Sequence, residues 1–321
     1  MTPEQSLAAV RAAARRHHLD SAGATLIQSG KNHTWRLPGS KAIAKVRGAG
    51  ATFAQAYRET QAARYVLDRG IPAARPVGEE RYPYRHDTGH ETVYVLFTED
   101  LGPSTLPATP RQVALLLRRL HALPVPTGPR LRLPAIDPFS RLFLGIDTLF
   151  PAGSARDRRR LHRLLHTARE AWQATTWPGP MSPLHGDAGP GNCVVTADGV
   201  AHLIDFERMA IGPALWDLAA YAWRRDVYGA DPAEYQAFTA AYGLDVTSHA
   251  DGRTYHQALT PAFAVSAWLA AAGYARDEPH WQHEADLRLA TLLTDPLPGF
   301  PWHWNLGNTA VMKAAGAGAP R

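Results

Sequence analysis

LHGDAGPGNCVVTADGVAHLIDFE, residues 184–207, is the stretch around which the rest of the chain is organised. Two short apolar runs, 193–196 and 200–204, flank Asp198-Gly199, a dipeptide that strongly signals a two-residue hairpin turn. Ahead of the hairpin, Asp187 and Asn192 are separated by Ala188, Gly189, Pro190 and Gly191, a loop without bulky side chains that lets a ligand approach the backbone closely. Behind it, Asp205 ends the second run and is set beside that loop. A carboxylate, an amide oxygen and a second carboxylate gathered this way suit phosphoryl transfer. One carboxylate orients a hydroxyl and accepts its proton, while the other two groups hold magnesium against a triphosphate. His185 reads as an orienter of the loop rather than as a base.

Upstream, the sequence supplies further parts in order. Residues 24–28, 33–37 and 41–46 read as three strands, joined by a turn containing Gly30 and then by Pro38-Gly39. Alternation in the third strand puts Ile43 and Lys45 on one face and Ala42, Ala44 and Val46 on the other. A lysine within an apolar strand either has a partner, because an unpaired buried ammonium is costly, or lies on an edge facing water. Glu59 is a candidate partner, in a helix expected over 52–69 and terminated by Gly70 and Pro72. Residues 92–98 (TVYVLFT) read as a strand, and 99–103 as a connector whose backbone can hydrogen-bond a purine edge. Further helices are expected over 4–18, 110–123, 154–175, from 216, and over about 232–243, 254–274 and 279–294, with 124–150 irregular and Pro-rich. The lobe boundary is placed near Asp100, with a small β-rich N-lobe over 1–99 and a larger, mainly helical C-lobe over 100–321.

Composition narrows the classes. Hydrophobic residues at 45% and charged residues at 20% are ordinary for a globular protein. The net charge of +5 is not a nucleic-acid signature, since residues 187–321 carry eight basic against fifteen acidic side chains. The run Arg156, Arg158, Arg159, Arg160 and Arg163 falls on an expected helix and reads as a solvated face. No apolar run approaches the ~20 residues that span a bilayer, and the N-terminus lacks a signal-peptide core. A cytoplasmic monomer or weak homodimer, without nucleic-acid or membrane partners, is expected. Cys193 is the single cysteine, which excludes an internal disulfide. His162 and His166 have a spacing that can ligate zinc but no third ligand nearby, and they read as surface histidines. The absence of a P-loop sequence excludes a Walker-type ATPase.

HGDAGPGN (185–192) and LIDFE (203–207) resemble the two signature motifs of the aminoglycoside phosphotransferase and choline-kinase-like superfamily. The resemblance extends to SGKNHTW (29–35), AIAKV (42–46), YRETQAARYVL (57–67), GIPAARPVG (70–78), FTEDLG (97–102), LLRRLHAL (116–123) and WDLAAYAW (216–223). It implies an α+β, bilobal, protein-kinase-like fold and an enzyme that uses ATP or GTP with Mg²⁺. Carried over, Asp187 is the catalytic base, Asn192 and Asp205 are metal ligands, Lys45 holds the α- and β-phosphates, and Glu59 pairs with Lys45. Gly30, Lys31 and Asn32 cover the phosphates, and the backbone at Thr98 and Asp100 reads the purine.

Two departures bear on the acceptor. Gly186 stands where protein kinases carry arginine. Glu207, placed to support a second metal, follows Phe206 where they carry glycine. With no recognisable activation segment, these point to a small-molecule acceptor. A hydroxyl of an antibiotic leads; a sugar, amino alcohol or nucleoside of metabolism is the alternative, and a nucleotide-binding pseudokinase a third. In the acidic final segment Asp226, Asp231, Glu234, Glu278, Glu284 and Asp286 are candidates for gripping an acceptor's amines.

Overall fold

Five antiparallel strands form the sheet on which the site is built: β1 (Thr25–Gln28), β2 (Asn32–Leu37), β3 (Ala42–Arg47), β4 (Tyr84–Asp87) and β5 (Thr92–Glu99), in the order β1-β2-β3-β5-β4. The computed structural model describes residues 1–30, 32–48, 50–78, 83–103, 106–149, 155–276 and 278–305. Thr34 lies opposite Lys45 on one side of β3 and Leu96 on the other. Lys45 is therefore in the middle of the sheet, and the edge alternative is excluded.

The two faces of β3 have different coverings. Ala42, Ala44 and Val46 face α1 (Pro3–Arg16), whose Ala9, Val10, Ala13 and Ala14 join them and Trp35, Val95 and Phe97 in one buried cluster. Each buried aliphatic chain of Val or Leu size contributes about 1.5–3 kcal/mol. Replacing Val10 with a charged residue would strip this covering. Thr2 and Gln5 cap α1 reciprocally, with Pro3 at its first position. The opposite face receives α2 (Phe53–Leu67), whose Ala56 packs on Tyr94 and Leu96. α2 opens on a second capping box, Thr52 with Gln55, which sets the helix start and so the height of Glu59 above the sheet.

By compactness the chain divides into two units. The first takes Met1–Pro134 and His185–Ile211, and the second Ala135–Leu184 and Gly212–Gly307. Stretch 185–207 thus belongs with the sheet. Besides the sheet, the first unit holds α3 (Pro110–His121) and the hairpin of β7 (Cys193–Val195) and β8 (Ala201–Leu203). The chain after α2 ties this hairpin in: the Leu203 amide donates to the Pro72 carbonyl and the Ala74 amide to the Leu203 carbonyl, both at 3.0 Å. At the hairpin tip, Gln112 of α3 donates to the Gly199 carbonyl.

The second unit is helical, with α4 (Ser140–Leu149), α5 (Ala155–Ala174), α6 (Leu215–Tyr228), α7 (Pro232–Tyr242), α8 (Thr260–Tyr274) and α9 (Gln282–Leu292). The short strands β6 (Ser182–Leu184) and β9 (Ala210–Gly212) lie at the breaks between the units. The core of the second unit includes Ile146, Leu161, Leu165, Val265, Trp268 and Trp304.

Helix α4 corrects the expectation of irregular chain over 124–150. The Asp137 carboxylate accepts from the amides of Phe139 and Ser140, a cap that begins ten helical residues with Leu142 and Ile146 on the buried stripe. The helix expected over 254–274 is continuous but uneven, because Thr254–Leu259 form a π turn ahead of α8. Pro261, which lacks an amide hydrogen, sits just beyond that turn and removes one α-type bond. Among the described residues, no helix is long and apolar enough to cross a membrane.

Candidate active site

Lys45 is the hub. Its Nζ lies 2.8 Å from Glu59 Oε1, 2.8 Å from Asp205 Oδ1 and 3.2 Å from Glu207 Oε2, so three carboxylates converge on one ammonium. The period-two geometry of β3 points it at α2, and the β7–β8 hairpin delivers the two downstream carboxylates. Burial opposes the charged form of Lys45, but Glu59, Asp205 and Glu207 outweigh it and raise the group above its ordinary value. For Asp205, burial pushes upward, yet the charge and hydrogen bond of Lys45 hold the carboxyl below its ordinary range. Asp205 has a left-handed backbone, φ 65° and ψ 66°, which is uncommon for a residue with a side chain and recurs at functional positions.

The loop before the hairpin is built to present Asp187. Asn192 Nδ2 donates to the Asp187 carbonyl at 2.8 Å, and the Gly189 amide donates to the same oxygen at 2.9 Å. These bonds fix the Asp187 backbone while its side chain is exposed. The Ile204 amide donates to the Asn192 carbonyl at 3.0 Å, which sets Asn192 directly beside the chain entering Asp205. His185 is fully buried and its Nε2 bonds the Ile204 carbonyl at 3.0 Å, with Phe206 against its ring. Both contacts hold the ring between the loop and the chain entering Asp205. Gly186, at φ +80°, has no room for a side chain: a Cβ would lie 2.2 Å from the Arg208 carbonyl oxygen. An arginine there would displace the chain behind Glu207.

The donor set fits a hard divalent cation. Asn192 Oδ1 is buried and accepts no hydrogen bond among the described residues. A buried acceptor without a donor is costly unless something else satisfies it. Asp205 and Glu207 are held by a cation already, the Lys45 ammonium, which occupies the position of positive charge. No group of three or more His, Cys, Asp or Glu among the described residues is arranged to hold a metal alone. A metal here would need oxygens from elsewhere. Magnesium commonly takes one or two carboxylates and completes its shell with phosphates and water.

Other expected residues fall as follows. Asn32 begins β2, and its Nδ2 donates to Glu207 Oε2 at 3.2 Å, tying the Gly30 turn to the cluster. Lys31 lies outside the described residues. Thr98 stands on β5 opposite Ile43. The Asp100 amide already donates to the Lys41 carbonyl at 2.8 Å and its carboxylate bridges Arg36, so that amide is committed to the protein. In the second unit Asp226 is gripped in fork geometry by Arg225, Asp231 caps α7, Glu234 faces Arg224 at 3.6 Å, and Glu278 faces His280 at 3.5 Å. His162 bonds Asp147.

Arg47 is the addition. Its Nη1 lies 2.6 Å from Glu59 Oε2, and its Nη2 lies 3.7 Å from Glu207. The signal was in the sequence, since alternation puts residue 47 on the same face as residue 45.

Residues 23–259 match the model of a family described as a phosphotransferase enzyme family. No curated protein matches the chain. Among solved structures, an amicoumacin kinase in complex with AMP-PNP, Ca²⁺ and its ligand is similar, with a TM-score of 0.66 at 13% identity, covering 94% of this chain and 97% of that one. A choline/ethanolamine kinase family protein from Mesorhizobium loti gives 0.61 at 15%, covering 96% and 99%. A spectinomycin phosphotransferase with ADP and spectinomycin gives 0.59 at 15%, covering 98% of each chain. At these identities the likeness speaks for the fold, which is the α+β, kinase-like one.

Proposed function

The chain belongs to the phosphotransferase enzyme family, and on that premise we propose that it transfers the γ-phosphoryl of ATP or GTP to a hydroxyl of an antibiotic, in resistance or self-protection. The observation that carries the reading is the convergence of Glu59, Asp205 and Glu207 on Lys45, with Asp187 and Asn192 on the adjoining loop. A lysine, three carboxylates and an amide drawn together in this way favour an active phosphotransferase over a pseudokinase. The antibiotics named for two of the similar structures support the choice of acceptor.

Asp187 would accept a hydrogen bond from the acceptor hydroxyl and take its proton as the oxygen bonds the γ-phosphorus. The bond from that phosphorus to the bridging oxygen breaks, leaving ADP or GDP. Lys45 would leave Asp205 and Glu207 for the α- and β-phosphates, with Glu59 keeping its place. Gly30 and Asn32 would lie over the phosphates. Asn192 and Asp205, with Glu207, would hold magnesium, which supplies neutralising charge to the phosphates. In this reading residues 1–99 serve the nucleotide, while 100–321 supply the catalytic loop and the acceptor contacts, and the protein acts in the cytoplasm on a small molecule without nucleic-acid or membrane partners.

A metabolic kinase acting on an amino alcohol or sugar is the second reading, favoured by the likeness to the choline/ethanolamine kinase family protein. A mass-spectrometric screen for the gain of one phosphoryl group separates the two. It offers ATP and GTP in parallel to aminoglycosides, macrolides, peptide and nucleoside antibiotics, sugars and amino alcohols. Gain on an antibiotic supports the first reading. Gain confined to the metabolites moves the assignment to the second.

A further inference from the structure

We infer that Arg47 is a positioning residue of this site: it anchors Glu59 from the side away from Lys45, so that Lys45 keeps its place when phosphates draw it off Asp205 and Glu207. The inference rests on the phosphotransferase reading above. Its basis is how the charges are shared. Glu59 is 8% exposed and spends one oxygen on each cation, Oε1 on Lys45 and Oε2 on Arg47. Lys45 is divided among three carboxylates, two of them the proposed metal ligands. Once a nucleotide and its metal take up those two, the alignment of Lys45 depends on Glu59 alone.

A glutamate at the end of a flexible side chain, with one buried oxygen unpaired, would swing or pull Lys45 toward itself. Arg47 prevents this. It is itself 6% exposed, it cannot give up its proton, and its planar fork reaches Glu59 and faces Glu207 at 3.7 Å. Its place is fixed by the sheet, where it pairs with Asn32 on β2 and Tyr94 on β5. The helix contributes the rest, since the Thr52 cap fixes where α2 starts, one turn before the turn that carries Glu59.

Binding of ADP in excess Mg²⁺, measured by titration calorimetry on the full chain, tests this, with circular dichroism used to choose a temperature at which each variant is folded. Arg47→Met should weaken ADP roughly tenfold, the usual scale for removing a group that orients a ligand-holding residue. Arg47→Lys should weaken it less, because an ammonium can hold Glu59 but lacks the fork. In a Lys45→Met background, adding Arg47→Met should change ADP affinity less than about twofold, since the effect runs through Lys45. A folded Arg47→Met protein that binds ADP like the wild type overturns the inference, as does a loss undiminished in the Lys45→Met background. Should Arg47→Met fail to fold, Arg47→Lys decides: unchanged ADP affinity overturns the inference and weakened affinity supports it. A wild-type chain that binds no nucleotide overturns the phosphotransferase reading and this inference with it.

Discussion

Two buried ionic clusters among the described residues differ in how they close. In the helical unit, Arg288 meets one carboxylate: its Nε donates to Glu284 at 2.7 Å, and its two other nitrogens donate to the carbonyls of Ala267 and Asn305. Glu284 in turn accepts from the Asn305 amide, and Trp304 and Trp281 flank the guanidinium. Charge balances and every donor group is used. In the sheet unit, Lys45 alone is shared among three carboxylates, and the Asn192 amide oxygen on the adjoining loop has no donor among the described residues. A buried pair that closes on itself ties α9 to the backbone at Asn305. One that keeps a buried acceptor without a donor among the described residues is arranged for a ligand that satisfies it.

The difference can be broken from either end. The largest effect is expected at Asp187, whose recorded bonds run through its backbone while its carboxylate is exposed. Asp187→Ala should cut kcat roughly 10²–10⁴-fold, the range for a lost general base, and leave the melting temperature unchanged. Calorimetry beside steady-state kinetics checks both halves, and a large fall in melting temperature would make Asp187 part of the scaffold. Arg288→Met should do the reverse. Leaving Glu284 buried and unpaired is expected to cost about 3–5 kcal/mol in urea denaturation, with kcat per folded molecule within about twofold of the wild type. A smaller effect is expected at Glu207. Glu207→Gln leaves Lys45 and Arg47 paired with Glu59, so stability should fall less than in Arg288→Met while affinity for the metal–nucleotide falls roughly tenfold.

The same contrast explains what could be read in advance. Asp187, Asn192 and Asp205 are legible because each sits at a boundary that local chemistry sets, the small-residue loop and the Asp198-Gly199 turn. Lys45 and Glu59 are legible from strand alternation and from a helix with clear punctuation. Arg47 was hidden in plain view: an arginine ending a strand has the composition of an exposed edge, and only Glu59 across the gap shows otherwise. Helix α4 was masked by the prolines ahead of it, because its start depends on the Asp137 side chain rather than on a periodic pattern. For Asp226, Asp231, Glu234 and Glu278, counting charge cannot separate a carboxylate that waits for a ligand from one already holding an arginine or a helix cap. Asp226 and Glu234 face arginines, Asp231 caps α7, and Glu278 faces His280.

The subtlest expectation concerns pH and sharpens what it means for the sheet cluster to be open. In the wild type, burial pushes the Asp205 carboxyl up and Lys45 more than reverses this, leaving it below its ordinary 3.8. A carboxyl held low in the folded state stabilises the fold above its unfolded value and loses that contribution only as pH falls through the lowered one. Between about pH 8 and pH 5 the wild-type contribution is therefore constant. Lys45→Met leaves burial without its counterweight, so the same carboxyl rises above its unfolded value and the folded variant takes up protons first. Its stability then grows as pH falls. The stability gap between wild type and Lys45→Met, measured by urea denaturation at the two ends of that range, should narrow toward pH 5. A gap that stays constant would mean that water reaches Asp205 once the lysine is gone, and that the cluster is open to solvent as well as to cations.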